Sequence, residues 1–259
     1  MIKAVFFDID GTLLSFKTHL VPESTEKAIR ELQSRGIKVI ISTGRSINSL
    51  DHIRYLNFDG FITFNGGYCV TKDDEVLFRK PIPQEDIESL LNYAMNNEPV
   101  SFSLMSENEI SIFHVTPDIQ KMYDQLNLPV PMQRSYDNFD KATVLQTNIF
   151  IQPEAEEDFM RTIMPNSIAS RWTPLFADVN PVGQSKKVGI DVFVQHFGLE
   201  LHETMSFGDG GNDITMLAHT HIGVAMGNAN PEVKAIADYI TDDVDNNGIW
   251  NALKHYGII

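Results

Sequence analysis

The stretch Lys3–Leu14, KAVFFDIDGTLL, decides the fold. Ala4 to Phe7 is a short apolar run, the pattern of a strand buried on both faces of a parallel sheet. It stops at two carboxylates, Asp8 and Asp10. Gly11 then permits a turn that a side chain would hinder, and Thr12 is free to cap or hydrogen-bond locally. Both acids are therefore expected at the carboxyl end of the strand, where open α/β sheets bind their ligands. At about 4 Å and an effective dielectric of about 20, two like charges repel by roughly 4 kcal/mol. The pair therefore calls for a compensating cation. Mg2+ suits it, since that ion takes few carboxylate ligands and keeps waters and phosphate oxygens. A solvated turn is the plainer alternative. An EF-hand calcium loop counted from Asp8 does not fit, because Leu13 and His19 stand where Gly and Glu are required.

Working outward, Pro22 opens a helix whose apolar positions Ala28, Ile29 and Leu32 share one face, and Gly36 ends it. A second buried strand, Ile37 to Ser42, leads into Thr43-Gly44-Arg45. A second helix is expected around Ile47 to Leu56, and a third strand, Asp59 to Phe64, closes on Asn65-Gly66-Gly67. This alternation predicts a doubly wound parallel sheet. A hairpin follows from Tyr68, then Pro81 and Pro83 mark a linker. Residues 83–183 read as helix, two strands, helix, a proline-rich loop, strand, helix and a last strand pair. That order predicts a separate α+β domain with one exposed sheet face, inserted as a lid. The core, 1–82, resumes over 184–259. There a helix from about Ser185 and a strand to Phe207 lead into Gly208-Asp209-Gly210-Gly211-Asn212-Asp213.

With 259 residues, 42% hydrophobic and 21% charged, the chain is long enough to bury a sizeable core and is not a disordered polymer. Its formal charge of -15 repels nucleic acid and anionic membrane. It would also repel a phosphorylated metabolite, so a phosphate site here requires a metal and a few placed cations. No apolar run approaches the length of a membrane span, and the chain opens on a strand with no signal peptide, so a cytoplasmic location is expected. The single cysteine, Cys69, fits that compartment and reads as an inert strand residue. His219 and His221 have metal-like spacing but no third ligand nearby, and read as structural.

Three strand ends thus carry polar groups: Asp8 and Asp10, Thr43, and Asp209 with Asn212 and Asp213. Adjacent parallel strand tips point into one crevice, and a nucleophile, a metal and a proton donor converging there is what phosphoryl transfer requires. Lys186 would add a fixed positive charge. Taken singly, each motif is weak: Asp209 could lie in a plain strand-to-helix turn.

In order, FFDIDGTLL, ISTGR, the lysine after Gly183-Gln184-Ser185, and FGDGGNDITM resemble the four motifs of the haloacid dehalogenase-like superfamily. The insertion between the second and third motifs is similar to the Cof-type branch, which includes bacterial sugar-phosphate phosphatases. FNGG at Phe64 to Gly67 and GNAN at Gly227 to Asn230 are similar to further features of that branch. The resemblance implies that Asp8 forms an aspartyl-phosphate and that Asp10 protonates the leaving alcohol and then activates water. It implies that Thr43 and Lys186 hold the phosphoryl oxygens, with Gly44 in the same loop. Mg2+ would be held by Asp8, Asp209 and the Asp10 carbonyl, with Asn212 and Asp213 in support. Lys187 stands where many relatives have Gly, so the phosphate lysine is Lys186 or its neighbour. Arg45, Asn65 and Gly66 in the core, and Trp172, Phe176, Asp178 and Asn180 in the insertion, are candidates to face the leaving group. The expected activity is a Mg2+-dependent phosphatase acting on small phosphorylated metabolites, most simply hexose or related sugar phosphates. Pyridoxal phosphate or flavin mononucleotide hydrolysis, a sugar phosphomutase, and a non-catalytic phosphosugar sensor are the alternatives.

Overall fold

The computed structural model describes residues 1–97, 100–125, 129–130, 133 and 140–259, without the side chains of residues 125 and 172. Most of the expected proline-rich loop and the side chain of Trp172 lie outside the described residues. Two compact units result: Met1–Phe78 with Ser185–Ile259, and Arg79–Gln184.

The first unit begins with β1 (Ala4–Phe7), α1 (Glu23–Ser34), β2 (Lys38–Ser42), β3 (Gly60–Thr63), β4 (Tyr68–Thr71) and β5 (Val76–Arg79). The second unit contains α2 (Gln84–Asn96), β6 (Phe102–Met105), β7 (Ile110–Phe113), α3 (Pro117–Gln125), β8 (Gln146–Ile149), α4 (Pro153–Ile163), β9 (Ser167–Thr173) and β10 (Phe176–Pro181). The chain then returns to the first unit with α5 (Lys186–Phe197), β11 (Thr204–Gly208), α6 (Ile214–Leu217), β12 (Ile222–Ala225), α7 (Pro231–Ile236), β13 (Tyr239–Ile240) and α8 (Gly248–His255).

The first sheet has the order β13-β12-β11-β1-β2-β3-β4-β5. From β13 to β3 every neighbouring pair is parallel, and β4 reverses against β3. The fold is thus the expected doubly wound α/β type. β1 lies at its centre, and all four of its residues are buried, as its apolar sequence requires. Ala4 and Phe6 pack on one face with Ile40, Ile62, Ile190 and Phe193. On the other face Phe7 stacks on its register neighbour Phe207, ring centroids 5.1 Å apart. α1 buries Ala28, Ile29 and Leu32, and the chain turns out of it at Gly36, whose φ is +74°.

One expected element differs. Residues 47–56 form two 3-10 turns, Ile47–Ser49 and Asp51–Leu56, in place of an α-helix. Ser, Asn and Asp crowd this stretch and offer the backbone local partners. Ser49 Oγ donates to the Ser46 carbonyl at 2.7 Å, and the chain leaves through left-handed Asn57.

The second unit is an antiparallel sheet, β7-β6-β8-β10-β9, with helices α2 and α4 on its apolar face. Phe102, Leu104, Ile149, Ala177 and Val179 alternate inward against Ile87, Leu90, Leu91, Phe159 and Met160. The opposite face, expected to be exposed, carries the buried polar residues Ser103, Asn148 and Asp178. That face is covered in part by α3, whose Ile119, Met122 and Tyr123 pack with Ile112 and Phe176. Its polar residues are satisfied across strands: Ser103 donates to Asn148 Oδ1 at 3.1 Å, and Asn148 Nδ2 donates to Asp178 Oδ1 at 2.5 Å.

Replacing Phe207 with Ala removes the ring that stacks on Phe7 under the first sheet, and should cost about 3–5 kcal/mol. Urea denaturation measures this; a loss below about 1 kcal/mol would show that the contact is not part of the core.

Candidate active site

Because β1, β2, β3, β11 and β12 are parallel, their carboxyl ends share one edge of the sheet. That edge gathers the acidic residues. Asp8 follows β1, and its amide donates to the Phe207 carbonyl at 3.0 Å, which continues the ladder one residue past the strand. The turn then closes through Leu14, whose amide donates to the Ile9 carbonyl at 2.8 Å. Gly11 adopts φ +81°, and a Cβ there would collide with the Asp209 carboxylate. The glycine is therefore what lets the turn after β1 approach the turn after β11.

Thr43, at the tip of β2, is almost fully buried. Its hydroxyl accepts the Arg45 amide at 3.1 Å, and its carbonyl accepts the Asn65 amide at 3.0 Å. The tips of β2 and β3 are thus tied together. Gly66, with φ +97°, lies so close to the Ser185 carbonyl that any side chain would clash. This contact sets the start of α5 against the tip of β3 and places Lys186.

Lys186 is completely buried and Lys187 is exposed, which settles which lysine enters the cluster. Lys186 Nζ donates to Asp8 Oδ1 and to Asp213 Oδ1, each at 2.6 Å. Burial pushes its pKa down, but the Asp213 and Asp8 charges outweigh burial and the net direction is up. It stays charged. Asp8 is displaced the other way from its ordinary value. Burial and the Asp213 and Asp10 charges raise it, against Lys186, to about 7. Burial first, then Asp8, Asp213 and Asp10, likewise holds Asp209 well above the usual carboxylate range.

Oxygens of Asp8, Asp209 and Asp213 lie within 4.8 Å of one another. Their bonding differs. Asp213 is saturated: one oxygen takes Lys186, and the other accepts the Asp209 and Gly210 amides at 3.0 Å each. Among the described residues the Asp209 carboxylate accepts two long bonds at 3.3 Å, from Thr12 Oγ1 and Asn228 Nδ2. Asp8 Oδ2 accepts no hydrogen bond among the described residues. Hard oxygen donors that repel one another and are weakly satisfied fit a divalent cation such as Mg2+, which Asp8 and Asp209 could hold while Asp213 fixes Lys186 and the loop.

Asp10 is held separately. Arg45 grips it with a fork, Nε to Oδ2 at 2.8 Å and Nη2 to Oδ1 at 2.6 Å. Arg45, a candidate for the leaving group, therefore has its guanidinium on Asp10. Asn212 Nδ2 donates to Asn65 Oδ1 at 3.0 Å, joining two further candidates. Asp178 belongs to the other unit, buried on β10. Sequence reasoning gave no role to Asn228, which donates to the Gly11 carbonyl at 2.8 Å and reaches Asp209. Its signal was present in the Asn- and Gly-rich loop just past β12, at the same sheet edge as the other motifs.

The model of the haloacid dehalogenase-like hydrolase family matches residues 5–253. The chain belongs to that family. A solved structure described as the HAD subclass IIB sugar phosphatase BT4131 is 44% identical, with a TM-score of 0.91 over 99% of this chain and 100% of that one. YkrA of Bacillus subtilis (strain 168), which carries a provisional phosphatase name, is 34% identical over 99% of this chain and 98% of its own. The 5-amino-6-(5-phospho-D-ribitylamino)uracil phosphatase YcsE of the same organism is 27% identical over 98% of this chain and 96% of its own. The fold and the order of the motifs are those of this family, and the chain is an enzyme of the hydrolase class.

A carboxyl whose pKa is higher folded than unfolded binds its proton more tightly in the fold. For Asp8 the metal-free protein therefore loses stability as pH rises from 3.8 to about 7. A divalent cation would replace the protons, so the rise in Tm on adding Mg2+ should be larger at about pH 7 than at about pH 5. Differential scanning fluorimetry with and without EDTA measures it. No Mg2+ effect at either pH would contradict the cation site.

Proposed function

We propose that this hydrolase is a Mg2+-dependent phosphatase that cleaves hexose or related sugar phosphates through an aspartyl-phosphate on Asp8. The observation that carries this reading is the buried lysine bridge. Lys186 spans Asp8 and Asp213 beside a third, weakly satisfied carboxylate on Asp209. Stability alone does not explain so many acids at one sheet edge; a phosphate dianion arriving with a cation does.

Each side chain then has a part. Asp8 Oδ2, which accepts no hydrogen bond among the described residues, attacks phosphorus as the bond to the leaving oxygen breaks. Lys186, already charged and fixed, and the Thr43 hydroxyl take the phosphoryl oxygens. Asp10, whose two oxygens the Arg45 fork holds, would have to free one of them to carry a proton to the leaving alcohol, and then takes a proton from the water that cleaves the acyl phosphate and frees Asp8. Bound Mg2+, held by Asp8, Asp209 and the Asp10 carbonyl, would supply the charge that lets an anionic nucleophile meet an anionic ester. Asp213 and Asn212 keep the loop in place.

The inserted domain, residues 83–183, is read as the lid that excludes water and selects the leaving group. Asp178 and Asn180 are its candidate contacts, and Asn65 and Gly66 are those of the core. The identity to a solved sugar phosphatase supports a sugar phosphate. YcsE shows by its name that a relative of nearly equal length works on a ribityl phosphate bearing a uracil, so the leaving group can be larger. A cytoplasmic location, consistent with a lone buried cysteine, belongs to this reading.

Phosphate release from a panel of phosphorylated metabolites, including pyridoxal phosphate and flavin mononucleotide, should require Mg2+ and peak on hexose phosphates. Asp8→Asn should lower it by roughly 10^4-fold or more with the fold intact. Asp10→Asn should lower it by about 10^2- to 10^4-fold. Near-wild-type turnover by Asp8→Asn would overturn the mechanism. A peak on a ring phosphate would move the substrate but leave the chemistry standing.

A further inference from the structure

The loop after β12, Met226 to Asn230, closes against the catalytic edge, and its backbone is pinned from several sides. The Met226 amide donates to the Gly208 carbonyl at 3.0 Å, the Gly227 amide to the Asp242 carbonyl at 3.0 Å, and the Asn230 amide to the Asp209 carbonyl at 3.1 Å. Lys234 Nζ, from α7, donates to the Gly227 carbonyl at 2.5 Å. Asn228 is thereby held at a fixed place beside Asp209.

The Asn228 side chain uses both ends of its amide. Oδ1 accepts the Val244 amide at 2.9 Å, while Nδ2 donates to the Gly11 carbonyl at 2.8 Å and to Asp209 Oδ2 at 3.3 Å. Turned end for end, the amide would set its oxygen against a carbonyl and a carboxylate, and its NH2 against an N–H; the network therefore fixes its orientation. One NH2 group thus spans the turn after β1 and the turn after β11. The first carries Asp8 and the Asp10 carbonyl, and the second carries Asp209.

The backbone of Asp209 is held without this side chain: its amide donates to Asp213 Oδ2 at 3.0 Å, and its carbonyl accepts from Asn230. What remains to be set is the aim of the carboxylate. Thr12 Oγ1 reaches Oδ1 and Asn228 Nδ2 reaches Oδ2, one donor to each oxygen, both at 3.3 Å. Bonds of this length restrain the carboxylate and leave lone pairs for a metal. We propose, on the cation reading above, that Asn228 is a positioning residue for that cation. Its Nδ2 aims the Asp209 carboxylate and sets the spacing between Asp209 and the turn that carries Asp8 and Asp10. Outer partners of this kind are worth about 10- to 100-fold in metal affinity.

A Mg2+ titration followed by Tm, without substrate, gives a dissociation constant for each protein. Asn228 is exposed, so Asn228→Ala should fold, and its metal-free Tm checks this. The variant should raise the Mg2+ dissociation constant by about ten-fold or more. Phosphate release should fall at low Mg2+ and recover as Mg2+ is raised. Lys234→Met is the control, since it loosens the same loop and leaves the Asn228–Asp209 bond; it should lower the metal-free Tm and change the constant by less than about two-fold. A constant for Asn228→Ala within about two-fold of the parent's, or an equal rise in both variants, would show a loop brace only and overturn the proposal. No Mg2+ binding by the parent would remove the cation reading itself, and this proposal with it.

Discussion

Like charges forced together at one edge of a buried sheet are the constraint from which the rest of this protein follows. Asp8, Asp10, Asp209 and Asp213 converge there, and among the described residues two side-chain cations, Lys186 and Arg45, are bonded to them. The two cations are not interchangeable. Arg45 satisfies both oxygens of Asp10 with its fork, whereas Lys186 is a point charge shared by Asp8 and Asp213. What is left over is a negative site weakly satisfied at Asp209 and open on Asp8, which is the electrostatic demand for a divalent cation and the oxyanion that travels with it.

Much of the surrounding architecture serves to keep that arrangement rigid. The parallel sheet delivers the strand tips to one edge, and the Phe7–Phe207 stack joins the two strands that carry Asp8 and Asp209. Gly11 and Gly66 let loops approach where a side chain would collide, and the Thr43–Asn65 and Asn212–Asn65 bonds couple the loops after β2, β3 and β11. A preorganised charge array costs little reorganisation when charge moves between the nucleophile and the leaving group.

The central features were legible in the sequence because each follows from a short-range rule. An apolar run ending in Asp-x-Asp-Gly has few other resting places than a central strand tip, and strand-helix alternation fixed the parallel topology. What was not legible needed contacts between segments distant in sequence. Arg45 reads equally well as a ligand-facing cation or as a partner for Asp10 until the tips of β1 and β2 are adjacent. Asp209 and Asp213 are both carboxylates in one loop, and the Lys186 ammonium with the two amides donated to Asp213 separates the saturated acid from the available one. The lysine of the third motif was ambiguous by one residue, and burial resolves it, since a helix turns neighbouring positions to different surroundings. The missing second helix shows the reverse case, in which an apolar pattern was present but local polar side chains favoured 3-10 turns.

The proposed mechanism requires that Asp8 become covalently phosphorylated. Rapid acid quench of the enzyme during turnover of its best sugar phosphate with Mg2+, followed by peptide mapping by mass spectrometry, tests this directly. A phosphoryl group on the peptide containing Asp8, formed and lost at rates that match turnover, is the predicted result. Turnover with no covalent phosphate, or with the phosphate on another residue, would contradict it.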